Sequence, residues 1–271
     1  MNLPARILTI AGSDSSGGAG IQADLKTIQA LGGYGMSALT AITAQNTLGV
    51  FGVHAIPAAM VAQQLEAVLD DPGVDAIKTG MLLNSRIIDA IAEVLDERGA
   101  GIPLVLDPVM VATSGARLID EEAQESIITG LLARSALITP NLPEAEALTG
   151  LRITDQQSLE AAGHIIHDLG GNAVLIKGGH REGDEVVDYL FDGAEWTEFR
   201  APRIQTAGGH GTGCTLASAI ATRLGQGIEL KAAIESAKLY LNGALQHAWP
   251  GLGKGTGPLN HGWMDADPGA R

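Results

Sequence analysis

Short apolar runs separated by longer stretches of helical period recur along most of this chain, and that alternation restricts its fold more than any other feature. Residues 6–11, 36–44, 75–79, 104–106, 136–138 and 174–176 read as strands, and residues 21–31, 58–69, 85–96, 121–132, 144–148 and 159–169 as the helices between them. Strands that are apolar at nearly every position are buried on both faces. Repeated strand–helix units of this kind build a mostly parallel sheet covered by helices on both sides. Residues 186–191 and 196–200 add a hairpin, and two further helices are expected over 214–224 and 230–246. No linker-like or low-complexity stretch divides the chain, so a single domain over residues 1–271 is expected, with a polar, frayed tail from about residue 265.

In such sheets ligands gather at the carboxyl ends of the strands, which directs attention to the loops there. Composition narrows what those loops can bind. A net charge of −14 with 3% aromatic residues argues against a nucleic-acid surface, and it means that any phosphate site must be locally positive. One cysteine excludes an internal disulfide framework. No stretch approaches the roughly 20 apolar residues of a membrane helix, and no basic segment followed by an apolar one opens the chain, so a cytoplasmic setting is expected.

The most informative loop is His210-Gly211-Thr212-Gly213-Cys214, which runs into the small apolar stretch Thr215-Leu-Ala-Ser-Ala-Ile-Ala. A glycine-hinged loop opening a helix presents unpaired amides and the positive end of the helix dipole to an anion. Cys214 at that helix start is expected to have its thiolate favoured, which would make it a base or nucleophile near neutral pH; a lone cysteine is otherwise a small buried hydrophobe. A second loop, Gly12-Ser-Asp-Ser-Ser-Gly-Gly-Ala19-Gly20, is longer than a plain turn needs and feeds the helix carrying Asp24, so substrate binding is expected of it. It fits neither a P-loop nor a nucleophile elbow. Gln45-Asn46 ends a strand, and the Gln45 amide, with both donor and acceptor, suits the edge of a heterocycle.

Asp107-Pro108 and Asn141-Leu-Pro-Glu144 each follow a strand, so carboxylates of two loops fall where neighbouring parallel strands end. Hard oxygen ligands there suit Mg²⁺, which keeps several waters and takes one or two carboxylates plus phosphates; alone, Asp107 could cap a turn and Glu144 could start a helix. Lys177-Gly178-Gly179-His180 places a cation beside flexible backbone, and a phosphate is its expected partner because a buried lysine is costly unless paired. His180 and His210 carry no assigned chemical task.

Taken together, residues 11–27, Ala44-Gln-Asn-Thr47, Lys78-Thr-Gly-Met81, Leu106-Asp-Pro-Val109-Met110, Thr139-Pro-Asn-Leu-Pro-Glu-Ala145, Lys177-Gly-Gly-His180 and His210-Gly-Thr-Gly-Cys214 closely resemble the hydroxymethylpyrimidine/phosphomethylpyrimidine kinases of thiamine biosynthesis, within the ribokinase-like vitamin kinases. The match is collinear from about Ile7 to the segment ending at His261. It implies a three-layer αβα sandwich without the sugar-kinase lid, ATP with Mg²⁺, and two successive phosphorylations, of the pyrimidine's hydroxymethyl group and then of the monophosphate. Asp24, Gln45 and Met81, with Gly12, Ala19 and Val109, resemble the pyrimidine pocket. Asn141, Glu144 and Asp107 resemble the metal-organising element, Lys177 the lysine that meets the ATP phosphates, and Gly211, Thr212, Gly213 and Cys214 the anion hole. Cys214 stands where the wider sugar-kinase group has an aspartate base. The expected assembly is a homodimer, with no nucleic-acid or membrane partner. Two alternatives stay open: pyridoxal as substrate, alone or in addition, and a non-catalytic nucleotide or pyrimidine sensor.

Overall fold

The computed structural model describes residues 3–110, 121–179 and 183–266. In chain order its elements are β1 (Arg6–Ser13), α1 (Gly20–Ala30), β2 (Tyr34–Asn46), β3 (Gly49–Ala55), α2 (Ala58–Asp70), β4 (Ala76–Thr79), α3 (Ser85–Arg98), β5 (Leu104–Leu106), α4 (Glu121–Ser126), β6 (Leu137–Ile138), α5 (Leu142–Thr149), α6 (Gln156–Asp168), β7 (Val174–Ile176), β8 (Glu185–Phe191), β9 (Trp196–Pro202), β10 (Gly208–His210), α7 (Thr212–Gly225), α8 (Leu230–Gln246), β11 (Gly257–Pro258) and α9 (Trp263–Ala266). Nine strands form one sheet in the order β3-β2-β1-β4-β5-β6-β7-β8-β9. The six from β2 to β7 run parallel, while β3 at one edge and β8 and β9 at the other are antiparallel.

The continuous apolar runs have a direct cause. Successive side chains of a strand point to opposite faces, and here both faces are covered. Leu8, Ile77, Leu104, Leu106, Ile138, Val174 and Ile176 enter one core, packed against α2 to α6. Their neighbours Ile7, Ala76, Val105, Leu137 and Leu175 enter the other, packed against α1, α7 and α8. Helix α7 is buried at every position from Thr215 to Thr222, which is why that stretch is made of small residues: wide side chains would hold it away from α1, α8 and the sheet. At its far end a β-carbon on Gly225 would lie 2.4 Å from Ile7 Cδ1.

The expected elements are present, with differences that have physical reasons. Strand β3, unread in the sequence, is mostly exposed and so carries no buried-face pattern. The expected helix over 121–132 is α-helical only to Ser126 and continues as a π turn over Ile127–Leu131 and a 3-10 turn over Leu132–Arg134. Within it the Thr129 hydroxyl donates to the Glu125 carbonyl, a bond of the kind that bends helices. Helix α5 begins earlier than expected, at Leu142, because Asn141 and Glu144 form a reciprocal capping box. Of the tail expected to fray from about residue 265, α9 includes residues 265 and 266, and residues 267–271 lie outside the described residues. Strands β10 and β11 form a separate two-stranded parallel ladder that brings the C-terminal segment beside His210. No helix of the described residues is long and apolar enough to cross a membrane.

His261, just after β11, is buried against α7 with its Nε2 3.0 Å from Thr215 Oγ1, while its carbonyl accepts from the Tyr240 hydroxyl at 2.7 Å. Burial, aided by the charge of Lys26, holds its pKa down at about 4, against 6.5 for a free imidazole. Folding therefore expels a proton between these values, and stability falls as pH drops from about 6.5 to 4, by roughly 3 kcal/mol from this group. Urea midpoints measured across that range for the parent and for His261→Gln should diverge, the variant losing part of the fall. Superimposable pH profiles would contradict this account of His261.

Candidate active site

The polar loops that follow β1, β2, β4, β5, β6 and β7 converge with the β10–α7 loop around a cavity of about 690 Å³. Of the residues singled out in the sequence, Gly12, Ala19, Gln45, Met81, Asp107, Val109, Asn141, Glu144, Lys177, Gly211, Thr212, Gly213 and Cys214 all line it. Asp24 does not. It is fully buried on α1, where its carboxylate accepts from both Thr9 Oγ1 at 2.6 Å and Ser218 Oγ at 2.7 Å and pairs with Lys78 Nζ, 2.9 Å from each oxygen. With those partners turned into the protein, it cannot read a ligand in the cavity.

The anion loop is locked by backbone fit. Gly211 has φ of 89°, and a β-carbon there would lie 2.0 Å from the Gly18 carbonyl oxygen, so the two glycine loops meet at a contact only glycine allows. The Thr212 hydroxyl donates to the Gly209 carbonyl at 3.0 Å. Gly213 has open space on its cavity side: a β-carbon there would be 3.5 Å from Lys177 Nζ and 3.6 Å from Asp107 Oδ2, at ordinary contact distance. The amides that open α7 thus share one space with a cation and a carboxylate.

Cys214 corrects the expectation of a favoured thiolate. Burial pushes its pKa up, with Asp24 and Asp107 adding to the rise, and the opposing charge of Lys78 and a hydrogen bond from the Gly20 amide leave it at about 11. Desolvation wins over the helix terminus here, and the group is a neutral thiol near pH 7.

Lys177 also differs from expectation in having a partner within the protein. Its ammonium donates to Asp107 Oδ1 at 2.9 Å and stands 3.9 Å from Glu144 Oε2. Burial works against its charge, but these two carboxylates outweigh it and raise the lysine pKa. Burial raises that of Glu144, to about 7, helped by Asp107 and opposed by Lys177. Glu144 and Asn141 do the helix-starting work anticipated for them and face the cavity as well: Asn141 Oδ1 accepts from the Glu144 amide at 2.9 Å, and Glu144 Oε2 from the Asn141 amide at 2.8 Å. The Asp107 oxygen turned toward Gly213 and the second carboxylate oxygen of Glu144 are donors of the kind Mg²⁺ takes with waters and phosphates. Among the described residues no group of three or more His, Cys, Asp or Glu side chains is placed to hold a metal ion.

Several contributors escaped the sequence reading. His210 Nε2 lies 2.9 Å from Asp14 Oδ2, tying the anion loop to the loop after β1, and 3.3 Å from the amide nitrogen of Gln45, which as a second donor only touches it. Since the carboxylate only accepts, that ring nitrogen carries the proton. Asp14 further accepts from the amides of Ser16, Gly18 and Ala19; burial would raise its pKa, but these bonds and His210 hold it far below the usual carboxylate range. Gly12, already singled out in the sequence, packs against Met81, whose terminal methyl would have to swing aside for a β-carbon 2.3 Å away. Asp188 accepts from the Gly178 amide at 2.9 Å and pairs with Lys238 of α8, fixing the turn after Lys177. An acidic and a basic residue at buried positions of β8 and α8 were the available signal. His180 lies outside the described residues.

Residues 14–260 match the phosphomethylpyrimidine kinase family. The chain is 54% identical over 94% of its length to the thiamine biosynthesis bifunctional protein ThiED of Geobacter sulfurreducens, of which it spans 52%. It is 48% identical to the hydroxymethylpyrimidine/phosphomethylpyrimidine kinase of Streptomyces coelicolor, with 96% of this chain and 95% of that one covered. In structure it superimposes with a TM-score of 0.88 on the pyridoxal kinase of Staphylococcus aureus in complex with AMP-PCP and pyridoxal, 38% identical, with 98% of this chain and 96% of that one covered. The three-layer arrangement, the strand-end cavity and the sequence match converge: the chain is a kinase and belongs to the phosphomethylpyrimidine kinase family.

Proposed function

We propose that this chain, acting as one domain, phosphorylates 4-amino-5-hydroxymethyl-2-methylpyrimidine with ATP and then phosphorylates the monophosphate to the diphosphate, supplying thiamine biosynthesis in the cytoplasm. The observation that carries the reading is the meeting of Lys177, Asp107 and the Gly213 backbone in one open space beside Cys214. A phosphoryl group there would face a cation and the amides of residues 211–214, which neutralise charge as the group transfers. Gln45 offers donor and acceptor to the ring edge, and Met81, Val109 and Ala19 offer apolar surface to its faces. Toward the other end Pro202, Ile204, Leu241 and Leu245 provide an apolar wall for a nucleotide base.

Asp107 and Glu144 would hold Mg²⁺, with Asn141 keeping Glu144 in place; the ion supplies Lewis-acid charge on the phosphates. The hydroxymethyl oxygen approaches along Cys214, whose neutral thiol does not take the proton; as the new O–P bond forms and the bond to ADP breaks, that proton passes to an oxygen of the transferred phosphoryl group. A loose phosphoryl-transfer transition state needs little help from a base, so positioning carries most of the rate. The anion loop, Lys177 and the two carboxylates serve both phosphorylations, since only the acceptor changes. A homodimer is the assembly we propose; exposed Ile42, Phe51 and Val53 on the β2–β3 edge support it.

Product analysis by ³¹P NMR tests this directly. Incubation with ATP, Mg²⁺ and the hydroxymethylpyrimidine should give the monophosphate and then the diphosphate, whereas phosphate transfer to pyridoxal alone would refute the substrate assignment. The likeness to the S. aureus enzyme makes pyridoxal the comparison of choice. Two glycine variants test the site. Gly213→Ala should keep its melting temperature yet lose turnover by about 10² or more, because the methyl group would occupy the phosphoryl space. Gly211→Ala should instead lose about 1 to 3 kcal/mol of stability from backbone strain and its clash with Gly18. Equal stability losses, or a fully active Gly213→Ala enzyme, would contradict the arrangement.

A further inference from the structure

Lys78 and Asp24 form the most deeply buried ion pair among the described residues, and the reaction as outlined does not use them. Both side chains are fully buried. Asp24 binds Lys78, Thr9 and Ser218 at once and so joins α1, β1, β4 and α7. Three features aim this cluster at the anion loop. Ser218 lies one helical turn beyond Cys214, so the two side chains share a face of α7. A β-carbon on Gly80 would lie 2.9 Å from Lys78 Nζ and 3.0 Å from Ala11 Cβ, and Ala11 lines the cavity, so the ammonium sits directly beneath the cavity floor. The charges acting on Cys214 come from Lys78 on β4, Asp24 on α1, Asp107 after β5 and Lys177 after β7, with the Gly20 amide as hydrogen-bond donor.

We propose that the Lys78–Asp24 pair is a positioning device for the anion loop: through Ser218 it fixes the first turn of α7, and its ammonium acts on Cys214 from beneath the cavity floor. An ion pair buried this deeply adds little net stability over apolar residues of the same volume, so a role beyond stability is the economical reason for keeping one. Neither residue touches substrate; both act through α7. The kinetic part of this inference rests on the kinase reading, while the electrostatic part does not.

Because Cys214 is the only cysteine, iodoacetamide labelling of the whole protein reads that one group, with no turnover required. Asp24→Asn leaves the ammonium uncompensated and should speed labelling at pH 8 by roughly threefold or more, with the pH profile displaced downward. Lys78→Met should slow labelling. Opposite directions are what a structural staple would not give: loosening exposes the thiol in both variants. Acceleration in both, or no change in either, overturns the electrostatic part. Ser218→Ala, a mild change that keeps the ion pair, tests the positional part: kcat should fall roughly three- to tenfold with the pyrimidine KM unchanged. An unchanged kcat overturns it. A parent protein inactive on the pyrimidine would refute the substrate assignment while leaving the labelling result to stand by itself.

Discussion

A strand covered on both faces can place polar side chains without penalty only where it ends. That constraint governs this molecule. Of six adjacent parallel strands, all but β2 are buried on both sides, so the functional groups emerge in the loops at one edge: Asp14 after β1, Gln45 at the end of β2, Met81 after β4, Asp107 after β5, Asn141 after β6 and Lys177 after β7. The parallel pairing that makes the core apolar also lines these groups up side by side. Helix α7 completes the arrangement, because its burial among α1, α8 and the sheet fixes where its first amides point.

Electrostatics decide how an acidic chain can receive phosphate at that edge. With a net charge of −14 the far field repels anions, and attraction must come from local groups. Two lysines flank the anion loop, partly exposed Lys177 and fully buried Lys78, and each is held by carboxylate. Lys177 opens to the cavity and is shared between Asp107 and Glu144, so an arriving phosphate and its cation exchange partners within a preformed cluster instead of creating charge in a dry site. Lys78 is sealed below, neutralised by Asp24. Removing one member of such a pair leaves an uncompensated charge, at a cost of about 3 to 5 kcal/mol, which explains why each lysine comes with its own acid.

What was legible in the sequence follows from where information is local. The parallel strands and most helices showed because alternate burial writes a continuous apolar run. Lys177, Asp107 and the Asn141–Glu144 box showed because each follows a readable strand end, and the anion loop because its glycines open a helix of small residues. Strand β3 did not, since its side chains face outward, and β10 and β11 were too short to carry any period. Asp24 was misplaced because its partner is 54 positions away. A lysine within the buried run Ala76-Ile-Lys-Thr79 was the signal that a buried carboxylate had to exist, without saying which. For Cys214 the helix-start argument was sound, and the desolvation by its neighbours that outweighs it is a property of packing no local pattern records.

The central claim is that the strand-end loops form one phosphoryl-transfer site with the anion loop as its floor. A crystal structure of the protein with ADP, Mg²⁺, aluminium fluoride and the hydroxymethylpyrimidine tests it most directly. The account predicts the fluoroaluminate group against the amides of residues 211–214 and Lys177, the metal on the side of Asp107 and Glu144, and the hydroxymethyl oxygen beside Cys214. A fluoroaluminate bound away from the Gly213 amide, or a pyrimidine that does not touch Gln45, would contradict it.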